Sequence, residues 1–125
     1  MKHKTLLSLL VACSLYATDG KEIFENSCTA CHQMKMGWQL TSQEKAQLKA
    51  PLAFGITKHV RDVFPNEKQF VEFVSNYIKK PTRVQAKCRQ FAIDKFGLMP
   101  PIGASMSQEE REAVAKYMFN NIGRK

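Results

Sequence analysis

Cys28-Thr29-Ala30-Cys31-His32 is the stretch on which every further reading of this chain turns. Two thiols three residues apart can each add across a vinyl group of one porphyrin. The imidazole that follows at once is then placed to bind the iron from below. C-x-x-C-H marks covalent attachment of c-type haem. A bare C-x-x-C also serves redox dithiols and zinc sites. The adjoining histidine, and a methionine far down the chain at Met99, narrow the choice to haem.

Iron held only by His32 on one side would bind small ligands or react with peroxide. A dedicated electron carrier closes the sixth position instead, and a soft, neutral thioether does so while favouring ferrous iron. Met99 is the candidate. It sits in Phe96-Gly97-Leu98-Met99-Pro100-Pro101, just after a helix stop, where two prolines stiffen the loop and bias Met99 towards extended backbone. Met34 and Met36 lie too close to His32 to reach the opposite face. Met106 is the second choice, and Met118 belongs to an apolar helix stripe. His59, beside Lys58 and Arg61, reads as a solvated helix residue, although a bis-histidine site would require it.

Upstream of the motif, Lys2, His3 and Lys4 precede the short apolar run Leu6 to Ala12. This has the form of a secretory signal over residues 1–17, too short to span a bilayer as a mature helix. Two endings stay open: a cut after Ala17, or a lipoprotein-type cut before Cys13, since Leu10-Val11-Ala12-Cys13 has the form of a lipobox. Residues 18–125 then suit one domain with one thin core, which a buried macrocycle would enlarge. Of the four cysteines, Cys88 stands alone beyond the motif and reads as a small buried hydrophobe on a helix.

The formal charge is +8, or +6 without Lys2 and Lys4. A moderately basic protein favours acidic partner surfaces or anionic membranes. No helix-turn-helix or zinc-finger spacing appears, so the charge does not point to nucleic acid.

Five helical segments are expected, with no period-two strand. The first runs from about Asp19 to Ser27. Thr41-Ser42-Gln43-Glu44 is a capping box opening a short polar helix that stops before Pro51. Gly55 to Phe64 is expected to add only a turn or two. From Asn66, the residues Phe70, Val71, Phe73, Val74, Tyr77 and Ile78 share one face, and Pro81 ends the run. Thr82 to Gln85 reads as the cap of a helix ending at Gly97, with Val84, Cys88, Phe91 and Phe96 inward. Ser107 to Glu110 caps the last helix, whose stripe is Val114, Tyr117, Met118 and Ile122.

Together these motifs resemble a class I cytochrome c, a small monohaem protein of bacterial electron transport. The likeness covers essentially all of residues 18–125. Asp19 to Phe24 is similar to the family's first helix; Cys28, Cys31 and His32 match its haem-binding residues. Phe96 to Pro101 is similar to its distal methionine loop, and Ser107 to Asn121 to its terminal helix. The resemblance implies an all-α cytochrome c fold of about five short helices around one haem c. Cys28 and Cys31 form the thioethers, with His32 and Met99 as axial ligands. The first and last helices should cross, with Gly20 and Tyr117 packing there.

A proline carbonyl often serves the family's proximal histidine, and Pro51 is the possible counterpart. Trp38, Tyr77 and Arg83 are candidate donors to the propionates. The implied role is a monomeric, periplasmic one-electron carrier between respiratory redox proteins, not an enzyme. Lys35, Lys49, Lys79, Lys80, Lys87 and Lys95 are candidates to ring an exposed haem edge and steer acidic partners. The alternative is a haem-bearing subunit of a periplasmic oxidoreductase or peroxidase-like enzyme. A four-helix gas sensor would carry its C-x-x-C-H near the other terminus. A thiol oxidoreductase or zinc protein would need a βαβ context or further ligands.

Overall fold

Asp19 starts the first helix because its carboxylate accepts from the backbone N–H groups of Lys21 and Glu22, at 3.0 and 3.5 Å, meeting donors that the first turn would leave orphaned. The computed structural model describes residues 18–124; the expected leader, with Cys13, lies outside the described residues. Six α-helices follow in order: α1 Gly20–Ser27, α2 Ser42–Ala46, α3 Ala53–Val63, α4 Glu67–Lys79, α5 Gln90–Phe96 and α6 Gln108–Asn121. Two 3₁₀ turns, Gly37–Gln39 and Ile102–Ser105, tighten the connections. No strand occurs among the described residues, so the all-α expectation holds.

The caps at α2, α4 and α6 form as their sequences require. Thr41 and Ser107 each accept from the N–H three residues on, while Glu44 and Glu110 reach back to the cap N–H; Asn66 caps α4. Each such cap is worth about 1 kcal/mol.

Packing centres on α6, which lies against both α1 and α4. One core cluster joins Phe70, Val71 and Val74 of α4 to Ala115 and Phe119 of α6, with Val60 of α3. The other joins Phe24 of α1 to Val114 and Ile122, with Ala53. Phe70 meets Phe119 edge-on at 5.2 Å, and Phe24 meets Tyr117 at 5.7 Å. Arg61 of α3 donates to the carbonyls of Phe119 and Ile122, at 2.8 and 2.6 Å, supplying partners that the end of α6 lacks.

Two segments differ from expectation. Gly55 to Phe64 is not a turn or two but part of the eleven-residue α3. Conversely, Thr82 to Gly97 is not one helix. Gln85 N–H does find the Thr82 hydroxyl, at 3.2 Å, but only a turn forms, and α5 begins at Gln90. His59 Nε2 donates to the Lys87 carbonyl at 2.5 Å, diverting an acceptor that a continuous helix would use. Val84 and Phe91 are therefore 92% and 64% exposed rather than inward, and Cys88 sits in a bend rather than on a helix.

The α1–α6 crossing depends on Gly20. A Cβ there would lie 2.6 Å from the carbonyl carbon of Ala113 and 3.0 Å from Tyr117 Cβ, against backbone that cannot yield. Gly55, inside α3, has open space around it. Gly20→Ala should lower stability by about 1–3 kcal/mol through overpacking. Gly55→Ala should raise it by roughly 0.5–1 kcal/mol through helix propensity. Denaturant melts of the two variants check this; equal and opposite signs to those stated would refute the crossing geometry.

Candidate haem site

Helix α1 hands its last turn directly to the cysteine motif. Cys28 N–H donates to Phe24 O at 2.9 Å, and His32 N–H to Cys28 O at 2.9 Å. The motif thus continues as one compact turn. Cys28, Cys31 and His32 all border a single cleft and are half-buried. Among the described residues neither cysteine, nor Cys88, is part of a disulfide.

His32 is aimed by a contact nineteen residues away. Its Nδ1 lies 2.7 Å from the carbonyl oxygen of Pro51. A carbonyl only accepts, so Nδ1 carries the hydrogen and Nε2 keeps its lone pair for a metal. Alongside, Ala53 N–H donates to Gln33 O at 3.0 Å, pinning the loop after the motif to the start of α3. Burial lowers the His32 pKa, with the Pro51 contact acting the other way. The neutral imidazole, the form that ligates metals, is thereby favoured. Burial also pushes the Cys28 thiol up to about 11.

Met99 borders the same cleft, half-buried. Gly97, at φ +72°, ends α5 and turns the chain into the irregular Leu98–Pro101 loop. The cleft is about 200 Å³ in volume, and its walls are mainly apolar, among them Phe24, Ile56, Val74, Ile78, Ile93 and Phe96. Two thiols, a ring nitrogen with its lone pair free and a thioether around an apolar slot match the donor set of covalently attached haem. The residues fit the group.

The competing candidates separate. Met34 and Met36 are exposed and do not border the cleft, nor does His59, which lines a neighbouring groove. Met106 and Met118 do border it. Of the three candidate propionate donors, only Tyr77 lines the cleft, and burial raises its pKa. Trp38 is 79% exposed, and Arg83 is on the surface. Lys49 and Lys87 also border the cleft. Cys88 lines both the cleft and the groove, a position that its lone place in the sequence does not foretell. Among the described residues no three His, Cys, Asp or Glu side chains gather so as to hold a bare metal ion. Nor is any helix there long and apolar enough to cross a membrane.

Residues 16–118 match the family model described as "Cytochrome C oxidase, cbb3-type, subunit III". An "Uncharacterized protein" of Aquifex aeolicus (strain VF5) is 35% identical over 133 residues, which is 95% of this chain and 88% of that protein. No solved structure matches.

Removing the thioether should separate Met99 from Met106. Met99→Ala should abolish the sulfur-to-iron charge-transfer band of the oxidised protein and lower its midpoint potential. Met106→Ala and His59→Ala should leave that band in place. Visible spectra and a redox titration of the three variants check this; a band that survives Met99→Ala and vanishes with Met106→Ala transfers the ligand role.

Proposed function

This chain belongs to the c-type cytochrome family described by that subunit III model, and we propose that it is a periplasmic one-electron carrier holding a single haem c. Family membership carries haem-based electron transfer and covalent haem. The observation supporting the finer reading is the convergence of Cys28, Cys31, His32 and Met99 on one apolar cleft, with His32 Nδ1 held by Pro51. The chain contains one C-x-x-C-H, hence one haem.

Haem, when bound, supplies the iron couple that takes up and releases one electron. The chain's own residues do the rest. Cys28 and Cys31 would fix the haem's position through thioether bonds. His32 presents Nε2 in an orientation set by the Pro51 carbonyl, and second-shell contacts of that kind raise ligand basicity. Met99, on a loop bounded by Gly97 and by Pro100-Pro101, offers a neutral sulfur that suits the ferrous state. The apolar walls would keep water from a bound haem and, by making ferric charge costlier, would raise its potential in the same direction. Were His32 and Met99 both to ligate the iron, no open position would remain on it for a substrate.

Export is supported by residues 1–17, whose basic start and apolar run have signal form; Cys13 leaves a lipid tether as the other ending. Partners are redox proteins with acidic surfaces, in keeping with the basic net charge. The family's description favours one second reading, a haem-bearing subunit of a larger oxidoreductase. A stable complex that resists salt would fit that reading, whereas a free carrier makes brief encounters.

A pyridine haemochrome assay on the purified protein should report one covalently bound haem c per chain. The reduced protein should bind carbon monoxide slowly, its sixth position being closed. Electron exchange with an acidic redox protein should slow as ionic strength rises, because the Debye length shrinks to about 8 Å at 0.15 M. A colourless product or immediate carbon monoxide binding would overturn the carrier reading, and a flat salt profile would remove electrostatic steering from it.

A further inference from the structure

The methionines of residues 18–124 fall into two groups. Met99, Met106 and Met118 border the haem cleft, whereas Met34 and Met36 face solvent at 40% and 41% exposure. Trp38, the chain's only tryptophan, follows two residues on and is more exposed still. Three large apolar side chains thus stand outside at positions 34, 36 and 38, although burying any of them would be favourable. None borders the cleft, so a bound haem does not cover them.

Spacing keeps the three together. Neighbouring Cα atoms are about 3.8 Å apart, so those of Met34 and Met36 lie within about 7.6 Å, as do those of Met36 and Trp38. A methionine side chain turns about three bonds, which gives both sulfurs the reach to meet on one ion. The backbone carrying them is held in place. Met36 N–H donates to Gln39 Oε1 at 2.7 Å, Gln39 N–H donates to Met36 O at 2.9 Å, and Gly37–Gln39 forms a 3₁₀ turn.

Lys35 is the one formal charge between Cys31 and Glu44, and lying over the sulfurs it would repel a cation. It is engaged elsewhere: its Nζ donates to Glu44 Oε1 at 2.9 Å. Glu44 also accepts from the Thr41 N–H at 2.8 Å, which anchors the ion pair to the cap of α2.

We propose that Met34, Met36 and Trp38 form a surface site for a soft monovalent metal ion, Cu(I), with the two thioether sulfurs as ligands and the indole face as a third contact. Thioethers are soft, neutral donors of the kind that select Cu(I), whereas Mg(II) and Ca(II) seek oxygen ligands. The indole face attracts a cation through its quadrupole, and tryptophan is the best of the aromatic residues for this. The ion enters and leaves as Cu(I), with no electron or proton transfer. The site goes beyond the carrier reading and does not rest on it.

The test uses the haem-loaded ferrous protein, kept anaerobic, with carbon-13 in its methionine methyl groups. It carries Cys88→Ser, since a thiol would compete for the metal. The probe is Cu(I) supplied as its acetonitrile complex. The Met34 and Met36 methyl signals and the Trp38 indole N–H signal should shift together and saturate at one ion per chain. The Met106 and Met118 methyl signals and the visible haem spectrum should not change, and Mg(II) at the same concentration should move nothing. Met34→Leu and Met36→Leu should each weaken binding about tenfold or more, and Trp38→Leu about two- to fivefold. All three positions are exposed, and the haem spectrum of each variant reports whether it has folded. Unmoved Met34 and Met36 signals would overturn the proposal. So would binding that survives the double Met34→Leu, Met36→Leu change, or equal shifts with Mg(II).

Discussion

An imidazole can bind iron usefully only if something stops it from turning and holds its other proton. Here that is the 2.7 Å contact from His32 Nδ1 to the Pro51 carbonyl, backed by the Ala53–Gln33 backbone hydrogen bond beside it. The two bonds tie the cysteine motif to the start of α3 across a loop that has little regular structure of its own beyond α2. Pro51 suits the role because it lies just before Leu52, the N-cap of α3 whose carbonyl accepts the first helical bond from Ile56, so the Pro51 carbonyl takes no part in the helix ladder and is free to accept from the ring. The ring tautomer, the direction of Nε2 and the placement of α3 are consequently set together. Ala53, at the first turn of α3, is then buried in the cluster that also holds Phe24, Val114 and Ile122. Ligand geometry and core packing share one anchor.

The α1–α6–α4 arrangement serves that anchor from behind. Gly20 lets α1 approach α6 closely, which presents the motif at the end of α1 to the cleft. Gly103 plays a similar part near α4, where a Cβ would fall 2.7 Å from a side-chain carbon of Ile78. Its neighbour Ile102 and Ile78 itself border the cleft. Arg61, reaching from α3 to the last carbonyls of α6, and Arg111, donating to Ser75 O at 3.1 Å and Met106 O at 2.7 Å, lock helices that apolar contact alone would leave free to slide. Much of the apolar surface in this small domain faces the cleft rather than another helix, so bound haem completes the core as well as the chemistry.

What could be read without coordinates was what depends on neighbours in sequence. The C-x-x-C-H motif, the first helix from about Asp19, the capping boxes at Thr41 and Ser107, the stop at Gly97 and the helix that starts at Asn66 each use contacts within a few residues, and each is found; that Asp19 itself caps α1 is visible only in the structure. Met99 was nameable from its glycine and prolines, and it does border the cleft. Pro51 could be named only as a possibility, because nothing local says that its carbonyl will meet a ring nineteen positions earlier. Helix α3 was underestimated because Gly55, Lys58, His59 and Arg61 dilute its apolar pattern; its inward residues are the small Ala53, Thr57 and Val60. The reverse error at Thr82–Gly97 has a long-range cause, since His59 captures the Lys87 carbonyl from 28 residues away.

That last contact also bears on how the supports of His32 and Met99, the two proposed ligands, differ. The proximal side is tied down by hydrogen bonds between residues on separate elements. The distal side depends on chain stiffness: a glycine turn at one end of the Met99 loop, two prolines at the other and a 3₁₀ turn behind them. A thioether accepts only weak hydrogen bonds, so no contact of the Pro51 kind can hold it, and restricting the backbone is the remaining means. The Lys87–Arg89 bend, fastened to α3 through His59, leads directly into α5 and so sets where that loop begins. This exposed basic segment is therefore continuous with the loop that carries Met99, the proposed distal ligand.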